Sequence, residues 1–155
     1  MSLASVRAHL ATFGRDGEVI VPEVSSATVE LAAAALGVEP ARIAKTIALR
    51  SDDPDACVLV VAAGDARIDN AAYKATFGRK AQMVRAEDVE RVTGHPVGGV
   101  CPFANPPGTV VHLDESLRRF TTVFPACGTA SSAIELTPDE LASISGALGW
   151  VAVTR

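Results

Sequence analysis

Aromatic residues are scarce in this chain of 155 residues, which holds five Phe, one Tyr and one Trp. With so few rings, the core must be built from Ala, Val, Leu and Ile. Cysteine is scarcer still. Cys57, Cys101 and Cys127 are odd in number, far apart and without a CxxC spacing. That pattern fits reduced thiols better than a disulfide framework or a zinc site. No apolar run approaches the roughly 20 residues that span a bilayer. Met1 to Arg7 lacks the basic region and apolar run of a secretory signal, so the expected location is the cytoplasm. Positive charge is not in excess either, with 14 Lys and Arg against 18 Asp and Glu, a net −4. This counts against a module that holds nucleic acid by general electrostatics, although it leaves room for a small basic patch beside a pocket. Internal repeats and low-complexity tracts are also missing.

What is present is globular. Hydrophobic residues make up 48% and charged residues 21%, and the length suits one domain, 1–155, with a core that needs no staples. Leu3, Val6, Leu10 and Phe13 recur at helical spacing before Gly14. Val19 to Val21 reads as a short strand. Ser25 or Ser26 can cap a helix carrying Val29, Leu31, Ala32, Ala35 and Leu36, which Gly37 stops. Pro40 opens a helical turn. Ala44 to Arg50 and Cys57 to Ala62 read as strands of a hairpin with a loop longer than two residues. Asp69 can cap a helix through Tyr73 and Phe77, closed by Gly78. Ala81 to Val84 reads as a strand and Ala86 to Val92 as a helix. Thr93 to Gly108 is a long loop rich in Gly and Pro, and such loops are often functional. Thr109 to Leu113 reads as a strand, after which Asp114 can cap a short turn. Thr121 to Phe124 and Ala133 to Leu136 read as strands around a Gly128 turn. Thr137-Pro138-Asp139-Glu140 is a capping box for a helix reaching Leu148, stopped by Gly149, and Trp150 to Val153 closes the chain as a strand. Helices and strands do not alternate strictly. The order predicts an α/β fold with a mixed sheet, curled toward a barrel, rather than a doubly wound parallel one.

Two segments stand out chemically. In Ala44-Lys45-Thr46-Ile47-Ala48-Leu49, alternation puts Lys45 on one face with Ile47 and Leu49. A lysine heading an apolar face needs an anionic or carbonyl partner, which a ligand can supply, unless it snorkels to water from the strand end. In Gly98-Gly99-Val100-Cys101-Pro102, the glycines let backbone approach a ligand, and free N–H groups can stabilise an anion or a polarised carbonyl. An ordinary surface turn has the same composition. No Gly-Lys-Ser/Thr follows, so it is not a P-loop, and the spacing is wrong for a dinucleotide fingerprint. Cys101 or Cys127 as a nucleophile would need a histidine base, and His95 is near Cys101 in sequence. Small buried thiols are the simpler reading. His9 and His112 read as structural. No His, Asp or Glu group has metal-ligand spacing. Arg42, Lys74, Arg79, Lys80, Arg85, Arg118 and Arg119 are candidate phosphate contacts or an ordinary charged surface.

Taken in order, these residues resemble the YbaK/EbsC family, the prolyl-tRNA-synthetase-associated domains. The marks are Ala35-Leu36-Gly37-Val38 and Ile43-Ala44-Lys45-Thr46-Ile47, then Gly64-Asp65. Thr93-Gly94-His95 follows with Gly98 to Phe103, then Val111-His112-Leu113-Asp114 and Cys127-Gly128 leading to Ala133-Ile134-Glu135-Leu136. The match runs from about Ser25 to Leu148. The resemblance implies a compact α/β domain with a curved mixed sheet and a pocket for the aminoacyl end of tRNA. It implies a trans-acting hydrolase that clears a small amino acid wrongly attached to tRNA, commonly tRNA(Pro), without metal or organic cofactor. The family lysine maps to Lys45. The substrate contacts implied are Thr46, the Gly98-Gly99-Val100-Cys101-Pro102 loop, Cys127 and Gly128. The implied partners are mischarged aminoacyl-tRNA and prolyl-tRNA synthetase, with neither DNA nor a membrane. A non-catalytic module that captures a tRNA end or nucleotide and docks on a synthetase would carry the same motifs. In the subgroup that clears cysteinyl-tRNA(Pro), a serine before the glycine and an aspartate ahead of the Ile-Glu-Leu strand are expected. Here Ala126, Cys127 and Ala133 hold those places, which leaves cysteinyl, alanyl, seryl and threonyl substrates open.

Overall fold

The computed structural model describes residues 2–22 and 28–155. Its centre is a hairpin of β1 (Ile43–Arg50) and β2 (Cys57–Ala63), paired antiparallel from Arg50↔Cys57 to Ala44↔Ala63. The loop between them is the polar segment Ser51 to Ala56, where the Asp53 carboxylate accepts from the Asp55 N–H at 2.9 Å. β3 (Val110–Asp114) runs parallel to β2, β4 (Phe124–Pro125) parallel to β1, and β5 (Gly149–Val151) parallel to β3. The sheet order is β4-β1-β2-β3-β5, a mixed sheet as the element order predicts. All seven residues of β2 are buried because both of its faces are covered. One face packs on α1 (Ser2–Ala11) through Val6 and Leu10, and on α5 (Pro138–Ser145) through Leu141 and Ile144. The other packs on Tyr73 and Phe77 of α3 (Asn70–Phe77) and on Val153. Among the described residues, no helix is long and apolar enough to cross a membrane.

Local chemistry sets most boundaries. Asp69 caps α3 by accepting from the Ala72 N–H at 3.0 Å. Thr137 and Glu140 form the expected capping box of α5. α4 (Ala86–Thr93) stops at Gly94. Several boundaries differ from the sequence reading. The cap of α2 (Val29–Leu36) is Thr28, which accepts from the Leu31 N–H at 3.1 Å; Ser25 and Ser26 lie outside the described residues. Leu31 faces outward, and Ala33 is the buried residue of that helix. α5 ends at Gly146, whose φ of 67° takes the left-handed turn, while Gly149 begins β5 instead of stopping the helix. Ile20, Met83 and residues 133–136 make isolated bridges and no continuous strands.

Asp114, at the end of β3, ties the C-terminal segment to the sheet. Its buried carboxylate accepts from the Ser116 N–H at 2.9 Å, the Val153 N–H at 2.9 Å and the Thr154 hydroxyl at 2.6 Å. Burial alone would raise its pKa, but these hydrogen bonds outweigh it and hold the group below the ordinary carboxylate range. A depressed folded-state pKa stabilises the protein above the unfolded value of about 3.9, and that contribution is lost as pH falls through the folded value. Asp114→Asn is therefore expected to lower neutral-pH stability by about 1–3 kcal/mol. It should also flatten the loss of stability in acid, read from denaturant midpoints between neutrality and strongly acidic pH.

Candidate active site

β1 presents two different faces at its start. Ala44, Thr46 and Ala48 point toward a cavity of about 270 Å³, while Ile47 and Leu49 point toward the α3 side. Lys45 belongs by alternation with Ile47 and Leu49. It sits opposite Ala62, near the end of β2, and its side chain also borders the cavity. The ammonium donates to the carbonyl of Gly64 at 3.4 Å and to that of Ala66. Gly64 can pack against the Pro40 turn and the start of α2 because it lacks a side chain. A Cβ there would lie 2.0 Å from the Pro40 carbonyl oxygen and 2.8 Å from Val29 Cγ1. Burial lowers the Lys45 pKa; Asp65 works against this, Arg67 adds to it, and Glu30 opposes it weakly. Asp65 is itself held by Arg119 in a two-pronged pair at 3.1 and 2.5 Å. Among the described residues, no carboxylate pairs directly with Lys45.

The cavity lies between β1, the edge of α2, the Met83-Val84 segment and two loops. Its wall is mostly small and aliphatic: Ala44, Ala48, Val84, Val89, Val100, Ala126 and Ala133. The polar groups are few. Thr129 and Ser132 satisfy one another at 2.7 Å. The Thr46 hydroxyl is buried with no hydrogen-bond partner among the described residues, a costly state unless a ligand completes it.

Of the residues singled out in the sequence, Lys45, Thr46, Gly98 and Val100 border one cavity. Gly98 needs its glycine for a φ of 91°. The N–H groups of Gly98 and Val100 have no acceptor among the described residues. Gly99, Cys101, Cys127 and Gly128 stand behind that wall. A Cβ on Gly99 would lie 2.6 Å from the Gly128 oxygen, so the two loops touch backbone to backbone. Pro102 lies on a different depression, with His9 and Asn105. The loop is braced by Asn105, whose amide donates to the carbonyls of Thr93 at 2.8 Å and Cys101 at 3.0 Å.

All three thiols are buried. Burial pushes the Cys101 thiol far up and the Cys127 thiol up to about 12, the opposite of an activated nucleophile. Most of the candidate phosphate contacts are already paired on the protein: Arg42 with Glu135, Arg79 with Asp52, Arg85 with Glu87, Arg118 with Glu115 and Arg119 with Asp65. Sequence reading missed Met83, Thr129 and Ser132 on the cavity. Gly-Thr-Ala-Ser-Ser reads only as a turn, and a lone methionine in a short apolar run carries no signal.

The chain matches the model of the aminoacyl-tRNA editing domain over residues 23–144. It is 50% identical to the uncharacterized YwhH of Bacillus subtilis (strain 168) over 155 residues, which is 100% of this chain and 98% of that one. It is 27% identical over 119 residues to the proposed Cys-tRNA(Pro)/Cys-tRNA(Cys) deacylase EbsC of Enterococcus faecalis (strain ATCC 700802 / V583), covering 76% of this chain and 72% of the relative. The crystal structure of a proposed trans-editing enzyme for prolyl-tRNA synthetase superposes with a TM-score of 0.88 at 27% identity. That alignment covers 99% of this chain and 97% of the other.

The orphan hydroxyl gives a test of the cavity that needs no substrate. Thr46→Val removes a buried, unpaired polar atom at nearly constant volume. The thermal midpoint is expected to stay the same or rise, in contrast to the loss that follows when a satisfied hydroxyl is removed.

Proposed function

The chain belongs to the aminoacyl-tRNA editing domain family, and on that premise we propose that it is an aminoacyl-tRNA deacylase. It acts in trans to remove a wrongly attached small amino acid from tRNA(Pro). One observation carries the reading: two segments more than 50 residues apart bring Lys45, Thr46, Gly98 and Val100 to one small cavity whose lining is mostly apolar. The full-length likeness to the proposed trans-editing enzyme supports action outside a synthetase, with prolyl-tRNA synthetase as the functional partner.

Hydrolysis joins a water oxygen to the ester carbonyl carbon, builds negative charge on the carbonyl oxygen, and releases the ribose oxygen with a proton. The free N–H groups of Gly98 and Val100 are the donors suited to the aminoacyl group as that charge develops. Lys45 is a fixed positive donor for the terminal adenosine phosphate or the ester region. It is poorly suited to act as a base, because its ammonium hydrogens are what the Gly64 and Ala66 carbonyls hold. No carboxylate or imidazole borders the cavity among the described residues. The proton is therefore moved by the substrate, through a ribose hydroxyl or the amino acid's own group. Thr46 supplies its unpaired hydroxyl to the bound aminoacyl end. Cys101, Cys127 and Gly128 support the wall from behind.

Deacylation of Ala-, Ser-, Thr- and Cys-tRNA(Pro) tests activity and amino-acid choice together. Purified protein is expected to release at least one of these amino acids. If all four stay charged at high protein concentration, the non-catalytic capture of a tRNA end is the better reading. Lys45→Ala is expected to cost about 100-fold or more in rate with the fold intact. Cys101→Ser and Cys127→Ser should each keep most of the rate. Complete loss in a folded Cys101→Ser protein would instead assign the chemistry to a thiol.

A further inference from the structure

His95 is fully buried, does not line the cavity beside Lys45, and has both ring nitrogens engaged. Nε2 lies 2.7 Å from the Phe103 carbonyl oxygen. A carbonyl can only accept, so Nε2 carries the proton. Nδ1 is then left to accept from the Ser2 hydroxyl, 2.5 Å away at the start of α1. Burial, only partly opposed by the hydrogen bond to Phe103, favours this neutral form. The Cys101 thiol converges on the same point, 3.4 Å from Nε2 and 3.9 Å from the Phe103 oxygen. At its base, His95 is locked to α4: its N–H donates to the Thr93 hydroxyl at 3.1 Å, and that hydroxyl lies 2.7 Å from the Val89 oxygen.

The consequence is a closed loop. His95 and Phe103 are the two ends of the segment that contains Gly98 and Val100, and the imidazole ties them together. The Ser2 link adds a second attachment from below. Ser2 also abuts Gly128, where a Cβ would lie 2.6 Å from the Ser2 hydroxyl, and Gly128 in turn abuts Gly99. Ser2, His95, Gly128 and Gly99 thus form one continuous support behind the cavity wall.

We propose that His95 is a positioning residue of the deacylation site: by bridging Ser2 to the Phe103 carbonyl, it fixes the Gly98–Val100 wall at its working distance from Lys45 and Thr46. The proposal rests on the deacylase reading above. Rates of hydrolysis fall steeply when a donor is displaced by a fraction of an ångström, so a support that touches no substrate can still govern turnover.

The experiment compares His95→Gln, His95→Asn and Ser2→Ala with the wild type on the mischarged tRNA(Pro) that it hydrolyses best, reading kcat, KM and the thermal midpoint. Glutamine places an amide N–H near the Nε2 position and can keep the tie to Phe103. Asparagine reaches only the Nδ1 position and cannot. His95→Gln is expected to hold kcat within about threefold, while His95→Asn loses about tenfold or more, with KM nearly unchanged in both. Ser2→Ala, which removes only a half-buried hydroxyl and should fold normally, is expected to lower kcat by about threefold. A purely structural role would move the two His95 variants together, in step with their thermal midpoints. That outcome, or a Ser2→Ala protein with wild-type kcat where the His95 variants fail to fold, overturns the proposal. A wild type inert on every tRNA overturns the deacylase reading and this proposal with it, whereas an active wild type with equal His95→Gln and His95→Asn rates overturns the proposal alone.

Discussion

The register of the β1–β2 hairpin is the constraint on which the site depends. Pairing Lys45 with Ala62 places the lysine one step from the end of β2, where the chain turns through Gly64 and offers two carbonyls. The same register sends Thr46 into the cavity and Leu49 into the α3 cluster. Side chains alternate with period two, so a slip of one residue would exchange these faces and put Lys45 where Thr46 now sits. Both faces of β2 are buried, which makes any such slip expensive. The hairpin is therefore the scaffold and also the ruler for the chemistry.

Opposite that rigid edge, the cavity wall is built from loops held by specific contacts. Asn105 braces one loop through two carbonyls, and the Thr129–Ser132 pair closes the other. Gly99 and Gly128 let the two loops touch through their backbones. The wall needs this bracing because it has almost no regular secondary structure. A site whose chemistry relies on backbone donors has few side chains to adjust, so the loops must be placed by their surroundings.

The helix caps at Asp69 and Thr137 and the central hairpin were legible in the sequence, because each depends on neighbours within a few residues. The Lys45 and Gly98 segments were legible as candidates, and alternation placed Lys45 correctly with Ile47 and Leu49. That both faces of the strand would be buried, with the cavity mainly on the Thr46 side, was not. It depends on α3 and α5, which approach from opposite directions. Gly146 and Gly149 were equally good helix stops by composition, and the pairing of Trp150 with Leu113 decided between them. Residues 133–136 are strand-like in pattern, yet they form isolated bridges with Ile20, Val123 and Ala126 instead of one continuous ladder. Thr129, Ser132 and Met83 acquire their place only through tertiary contact.

The three thiols have a further consequence. Cys57 begins β2, Cys101 lies in one wall loop and Cys127 in the other, and all are buried with their thiolate forms disfavoured. Such sulfurs are chemically silent while the native packing holds, and they become reactive only when their own region opens. The chain thus carries three built-in clocks: one records opening of the sheet, and the other two record opening of the loops that face each other across Gly99 and Gly128.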